Sequence, residues 1–410
     1  KAIANDWLIC NDSLTTPAVY NSTRDLTYQF VVEPLTGLKI NLNGLHKRSE
    51  KQSHQFMFED MAITKSGSFQ MTTIALGSSF GNKLSGSYQS GAFSKFLANR
   101  EVIYNRFLAQ YEGTKYPTGG FMSSYSQQAG TPFAGNLGAS RINSSDVLVP
   151  AFLAAYTGGD AASISLSPFP KIWKALPNWK VTYDGLMALF PGLSKYFKNV
   201  TLSHAYTCTY NVGSYATYTN YAENEGRLGF TLDAANDVPV PASEFDISTV
   251  SLSESFAPLA GISATTLNGI TVKGEFKQTR TVTLNMSAAQ IVENISRDLT
   301  VGLGYKITDF STRIGLPTGN TVGVNHDLNL RLDVTHKNTV ALLRRIEGEY
   351  SEATSGNKAW TIKFAADYQL SKMLSLRLYY DKQINTPLIS TSYPTINTDF
   401  GITMNFSLNR

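Results

Sequence analysis

Apolar and polar residues alternate with a period of two along much of the chain, the mark of β-strands whose two faces meet unlike surroundings. From Val200 to Val212 the even positions carry Val200, Leu202, His204, Tyr206, Cys208, Tyr210 and Val212, while Thr201, Ser203, Ala205, Thr207, Thr209 and Asn211 fill the odd ones. The split recurs as Leu299, Val301, Leu303, Tyr305 and Ile307 against Thr300, Gly302, Gly304, Lys306 and Thr308, and as Leu328, Leu330, Leu332 and Val334 against Asn329, Arg331, Asp333 and Thr335. It continues in Trp360 to Leu370, Leu374 to Tyr380 and Phe400 to Leu408, and more weakly in Leu26 to Val32 and Leu38 to Leu42. Alternating segments of about ten residues suit a transmembrane β-barrel, with lipid on one side and a wet lumen on the other. A soluble sandwich uses strands of about five or six residues and seldom places charge on the second face of strand after strand. The pattern predicts an all-β protein with minor helical insertions, forming part of a very large antiparallel transmembrane β-barrel.

From Ile262 to Met286 the even positions stay apolar without a change of phase, which predicts one strand of about 25 residues reaching far beyond a bilayer core. The connections are expected to alternate in length. Counting back from the C-terminus, they are a long one at Asp381 to Thr398, a tight turn at Ser371 to Met373, a moderate loop near Ser351 to Asn357, a short turn around Lys337 and Asn338, and a long loop from Phe310 to His326. With the C-terminus in the periplasm, the two long loops would lie outside the cell and Ser371 to Met373 inside.

Between about Ser90 and Phe197 the period changes. Phe93, Phe96, Leu97, Tyr104, Phe107, Leu108 and Tyr111 recur at helical spacing, so Ser90 to Glu112 reads as an amphipathic helix. Ser144 to Tyr156 reads as a second helix, and Leu186 to Phe197 as a third, broken by Pro191. The expected organisation is barrel strands with loops over 1–89, a helical and loop insertion with at least one strand over 90–198, and barrel strands over 199–410.

Composition narrows the class. Charged residues are 16% of the 410 positions and 35 basic residues face 31 acidic ones, a balance that gives no footprint for nucleic acid. The longest nearly apolar run, Val147 to Tyr156, contains Pro150 and is too short for a membrane helix. Two cysteines, Cys10 and Cys208, exclude a disulfide framework, and Ile9 is too bulky for Cys10 to be an acylation site. Lys1 reads as the start of a mature product or of a piece of something longer.

No catalytic residue, cofactor site or metal ligand emerges. His46, His54, His204, His326 and His336 are scattered, and His326 and His336 would lie about 33 Å apart along one strand. Ser203 and His204 point to opposite faces and make a poor nucleophilic pair. Glu59 with Asp60 and Glu347 with Glu349 read as solvated charges. Arg331, Asp333, Lys363, Asp367 and Arg377 fall on the polar face, where a hydrated lumen would hold them. Tyr305, Trp360, Tyr368, Tyr379, Tyr380 and Phe406 are candidates for interfacial aromatic girdles.

Four strings in order, Val147 to Gly158, Leu176 to Leu186, Leu299 to Phe310 and Leu374 to Leu408, resemble the C-terminal region of the SprA/Sov family. Those proteins are outer-membrane translocons of the type IX secretion system in Bacteroidota, linked to gliding motility. The resemblance implies a single-chain barrel of up to 36 strands that exports folded cargo proteins bearing a C-terminal signal. It also implies a PorV-type shuttle barrel and a periplasmic plug protein as partners, with outer-membrane lipid and the remainder of the same barrel around this segment. Residues alone leave two other readings open, a self-contained outer-membrane porin or transporter barrel and a barrel hydrolase.

Overall fold

The computed structural model describes Asn5 and residues 15–55, 63–81, 88–135, 139–224, 229–233, 235–315, 321–348, 350–371, 373–389 and 392–406. A single twelve-stranded sheet dominates it. Its strands are β1 (Ala18–Leu35), β2 (Leu38–His54), β3 (Thr64–Thr72), β4 (Asn178–Tyr183), β5 (Phe197–Thr217), β9 (Phe245–Thr266), β10 (Ile270–Asn285), β11 (Gln290–Gly315), β12 (Thr321–Arg345), β13 (Ser351–Gln369), β14 (Leu374–Pro387) and β15 (Thr395–Phe406). All neighbours pair antiparallel, in the order β1-β2-β3-β5-β9 and then consecutively to β15. A separate three-stranded sheet, β6 (Tyr221–Glu223), β7 (Gly229–Asp233) and β8 (Val238–Ala242), lies within the β5–β9 connection.

One position in the large sheet is shared by two strands. β3 pairs with the later half of β2 and with residues 209–216 of β5, whereas β4 pairs with the earlier half of β2 and with residues 202–206 of β5. The chain leaves the sheet after Thr72 and returns to the same line at Asn178, and the Leu176 N–H donates to the Thr72 carbonyl at 3.2 Å across the gap. The excursion between them carries α1 (Leu76–Ser79), α2 (Gly91–Ala109) and α3 (Ser145–Thr157), and α4 (Leu186–Leu189) follows β4. Ser90 caps α2 by accepting the Phe93 N–H, and Gly158 ends α3 in the left-handed conformation. A 3-10 turn over Pro191–Lys195 follows α4, since Pro191 cannot extend it.

The core lies between α2, α3 and one face of the sheet. Phe96, Ile103, Phe152 and Tyr156 pack against Tyr206, Tyr210, Leu252, Leu284 and Ile291, all essentially closed to solvent. A second cluster joins α2 to the small sheet, with the Tyr111 hydroxyl donating to the carbonyls of Gly229 and Ala242.

Several expectations are corrected. Ile262 to Met286 is not one strand but the β9–β10 hairpin, turning at Leu267–Gly269 with Gly269 at φ 82°. A three-residue loop pairs positions of like parity, Ala264 with Val272 and Ile262 with Gly274, so alternation passes through the turn without a phase change. Lys337 and Asn338 do not turn the chain. They pair with Asp298 and Arg297 in the middle of β12, and Ser351 to Asn357 begins β13 rather than forming a loop. Removing that turn exchanges the sheet end at which earlier connections lie. β11 runs on to Gly315, and the connection to β12 shares an end with Ser371, opposite the Asp381 to Thr398 segment, which is itself mostly strand. A 3.0 Å hydrogen bond from the Tyr368 hydroxyl to the Phe310 carbonyl ties that end together.

Candidate functional site

The sheet is a wall with two chemically distinct faces. Register carries one column of residues from strand to strand: Ile270, Tyr305, Leu330, Ala366, Leu378 and Ile402 meet in one row. Phe276, Leu299, His336, Trp360, Ile384 and Ile396 meet in another. This apolar face stays bare near the end marked by the turns at Leu267–Gly269 and Ser371, hereafter the turn end. Phe400, Ile402 and Met404 are 77%, 62% and 68% exposed, and Leu299, Val301, Leu303, Tyr305 and Trp360 are exposed too. On β15 the apolar column runs from Ile396 to Phe406, the nine to eleven residues a tilted strand needs to cross a bilayer core. Beyond it, at the opposite end, the same face disappears beneath the helical insertion. β11 and β12, at 26 and 25 residues, thus serve two surroundings in succession.

The other face is small, polar and evenly charged. Arg331, Asp333, Lys363, Asp367 and Arg377 all lie on it, as expected, since Asp333 pairs with Lys363 and Asp367 with Arg377. Its ion pairs alternate in sign: Arg331 with Asp333 at 2.6 Å, Lys306 with Asp327 at 2.6 Å, Glu275 with Lys273 and Lys277 at 3.0 Å each. Exposed pairs of this kind stabilise little, on the order of 0–1 kcal/mol each. Their consequence is a hydrated surface without a concentrated field of either sign. Glycines keep parts of it low: a Cβ at Gly302 would stand 2.7 Å from Asp333 Oδ1.

Of the girdle candidates, Tyr305, Trp360, Tyr380 and Phe406 stand exposed on the apolar face, and the Trp360 ring lies tilted against His336 with centroids 4.4 Å apart. Tyr379 does not join them. It occupies the polar face, directly across from Gly401, where its ring covers the space a side chain would fill. Tyr368 is buried and committed to Phe310.

Where the insertion meets the wall, charge is buried. Glu254 of β9, Arg280 of β10, Glu293 of β11 and Arg344 of β12 step diagonally across four adjacent strands, each at most 4% exposed. Glu293 accepts from Arg280 Nε at 2.7 Å and from Arg344 Nε and Nη2 at 3.0 and 2.7 Å. Arg344 Nη1 donates to the Tyr88 carbonyl and to Ser351 Oγ, and Arg280 Nη1 donates to Ser78 Oγ of α1. Glu254 accepts from Ser79 Oγ at 2.6 Å and from the Tyr206 hydroxyl at 2.8 Å. Buried charges need partners of this number and geometry to repay their desolvation. The set couples the first turn of the insertion to the sheet.

Sequence reasoning passed over this cluster, although a signal was present. Each residue stands inside a largely apolar column, Glu254 between Leu252 and Phe256, Arg280 between Gln278 and Val282, Glu293 between Ile291 and Ile295, Arg344 between Leu342 and Ile346.

The histidines are dispersed. His46 Nε2 contacts the Pro170 carbonyl and His204 Nδ1 the Leu259 carbonyl at 2.6 Å, while Ser203 lies on the other face. Among the described residues no three His, Cys, Asp or Glu side chains converge on a metal position. Cys208 is buried and unbonded to another cysteine. Cys10, the pair Glu59 and Asp60, and Glu349 lie outside the described residues.

At the insertion's base, burial raises the pKa of Asp146 in α3 above its ordinary value, opposed by hydrogen bonds from Ser243 and by the Arg141 charge.

No family model matches the chain, and no curated protein matches it. Among solved structures it is similar to the crystal structure of the beta domain of the Bordetella autotransporter BrkA, at 10% identity over 95% of this chain and 91% of that chain, with a TM-score of 0.23.

Proposed function

We propose that this chain forms part of the wall of an outer-membrane β-barrel that conducts protein, a segment of a type IX translocon of the SprA/Sov kind. The observation that carries the reading is the sheet itself: a bare apolar band about one bilayer tall on one face, a small-residue and charge-balanced face behind it, and two edges that are unpaired among the described residues. β1 and β15 run in the same direction, both ending at the turn end. Eleven strand positions therefore cannot close antiparallel upon themselves, and further strands must stand between those edges for the lipid-facing backbone to be satisfied. A broad polar wall without a charged constriction suits bulky cargo better than selective ion passage. Cargo with a C-terminal signal, a shuttle barrel at a lateral opening, a periplasmic plug and a Bacteroidota outer membrane belong to this same reading.

The second reading is a self-contained porin or transporter, which the hydrated polar face also suits and which would require β1 and β15 to pair parallel. Photo-crosslinking residues placed at Thr361 and Gln383 on the polar face of the native protein separate the two. Capture of exported folded proteins supports the translocon. Solute uptake without any protein adduct, together with a β1–β15 disulfide from paired cysteines, would replace it by the porin.

A further inference from the structure

We propose that the turn Lys171–Leu176, on the underside of the helical insertion, anchors the protein to phosphate-bearing lipid headgroups of the leaflet beneath it. The inference rests on the membrane-wall reading and adds a lipid site to it.

Position comes first. The Tyr28 hydroxyl donates to the Ala175 carbonyl at 2.9 Å, and Tyr28 stands seven residues along β1 from Leu35 at the turn end. On the other side of the insertion Phe80 packs on Phe256 at 5.2 Å, ten residues along β9 from Thr266. On β1 the apolar column of Leu26, Tyr28, Phe30 and Val32 gives way to Arg24 and Ser22 on the same face, so Tyr28 stands near its upper limit, and on β9 exposed Ile262 gives way to buried Phe256. The insertion therefore overhangs the wall where the bare band ends, and its underside faces the membrane surface.

Chemistry agrees with that position. Trp173 is 69% exposed, with Ile172 and Leu176 each 43% exposed beside it, an arrangement costly in water and favourable at an interface. Lys171 Nζ lies 5.1 Å from the centre of the Trp173 ring, and Lys174 flanks the ring on its other side in sequence. Neither lysine forms an ion pair among the described residues, and Asp160, which lines the cleft with them, is bonded to the Ala162 N–H and to Ser163. Behind the turn a cleft of about 590 Å³, walled in part by Met71, Ile74 and Leu153, offers apolar lining. Paired cations in front and apolar volume behind fit an anionic lipid rather than a soluble anion. Each lysine close to an anionic surface is expected to raise affinity about fivefold, equivalent to about 1 kcal/mol.

The test uses the complete native barrel that contains this chain, in a Cys10→Ser background, reconstituted in phosphatidylcholine vesicles with or without phosphatidylglycerol. Nitroxide labels are attached at Trp173→Cys, Ile402→Cys and Thr403→Cys. The expected result is a Trp173 label at headgroup depth, between a lipid-buried Ile402 label and a water-exposed Thr403 label. Phosphatidylglycerol should immobilise it, and Lys171→Gln with Lys174→Gln should weaken the preference for phosphatidylglycerol by about fivefold per lysine. A Trp173 label as water-accessible as that at Thr403, with Ile402 still in lipid, overturns the anchor alone. Water access at Ile402 overturns the membrane wall and the anchor with it.

Discussion

Asn178 Oδ1 accepts the backbone N–H of Cys208 at 2.8 Å, at the place where β3 has left the sheet and β4 begins. A side-chain amide here replaces the carbonyl that a continuous strand would have offered. The neighbouring Thr73 N–H donates to the Cys208 carbonyl, so both backbone groups of Cys208 are satisfied across a broken strand. This pairing lets a helical insertion emerge from the middle of a wall without orphaning buried backbone.

Asn178→Ala should therefore destabilise the protein by about 1–3 kcal/mol, the cost of leaving a buried donor unpaired. Denaturant unfolding gives the magnitude, and amide exchange at Cys208 locates it. Unchanged protection of that amide would mean another group serves as acceptor.

The buried cluster makes a contrast between single and double replacement. Glu293→Leu leaves Arg280 and Arg344 facing one another without their shared carboxylate and should cost about 3–5 kcal/mol. Combining Glu293→Leu with Arg344→Met should recover much of that loss, because removing both charges removes the uncompensated desolvation. Equal losses in the single and double variants would show that packing, not charge, holds the insertion down.

The two-faced strands were legible in the sequence because a strand has only two sides and each keeps one kind of surroundings over the length of the exposed apolar band. The helix at Gly91–Ala109 was legible for the same reason at a period of 3.6. What escaped reading lies where pattern and environment part. Asn268 and Gly269 mark a turn, yet their three-residue loop conserves parity and hides it. Lys337, Asn338 and the polar start of β13 look like turns because those strand segments stand beyond the apolar band, where alternation lapses although pairing continues. Glu254, Arg280, Glu293 and Arg344 come together only because four strands fall into one register, which no single segment encodes.

Asp146 supplies a pH dependence for the insertion. Its side chain accepts from Ser243 Oγ and from the Ser243 N–H, and burial is the main cause that raises its pKa. A carboxyl raised in the folded state contributes stability that is fully present below its unfolded value near 3.8 and is lost as pH rises through the folded value. Asp146→Asn keeps an acceptor for Ser243 without the charge. The variant should unfold at a higher temperature than the parent at neutral pH and lose the advantage in acid, as followed by thermal melts across that range. A larger advantage in acid would reverse the sign and reject the cause.

Exposure on the apolar face should make charge expensive there and cheap one residue away. Met404→Arg places a cation on the bare band and should impair assembly by about 2–4 kcal/mol if it lies near the bilayer midplane. Asn405→Arg, on the polar face of the same strand, should be nearly neutral. Measuring folded yield in the outer membrane compares them directly, and equal impairment would mean that β15 does not border lipid.

Strand direction fixes which connections share a side. If, as the proposed outer-membrane wall requires, β15 ends in the periplasm, the turn end would lie there too, and it includes Asn268 and Ser371. On the proposed membrane reading the opposite end, with Ser287 and the insertion, would then lie outside the cell. This differs from what alternating loop lengths suggested, because β12 is one continuous strand and the β11–β12 connection moves to the periplasmic side. Single cysteines decide the matter in a Cys10→Ser background. Ser287→Cys should react with a membrane-impermeant thiol reagent on intact cells, whereas Asn268→Cys and Ser371→Cys should react only after the outer membrane is opened. Labelling of Asn268→Cys on intact cells, with Ser287→Cys protected, would invert the wall. The helical insertion would then stand in the periplasm, and the Lys171–Leu176 turn would face the inner leaflet instead.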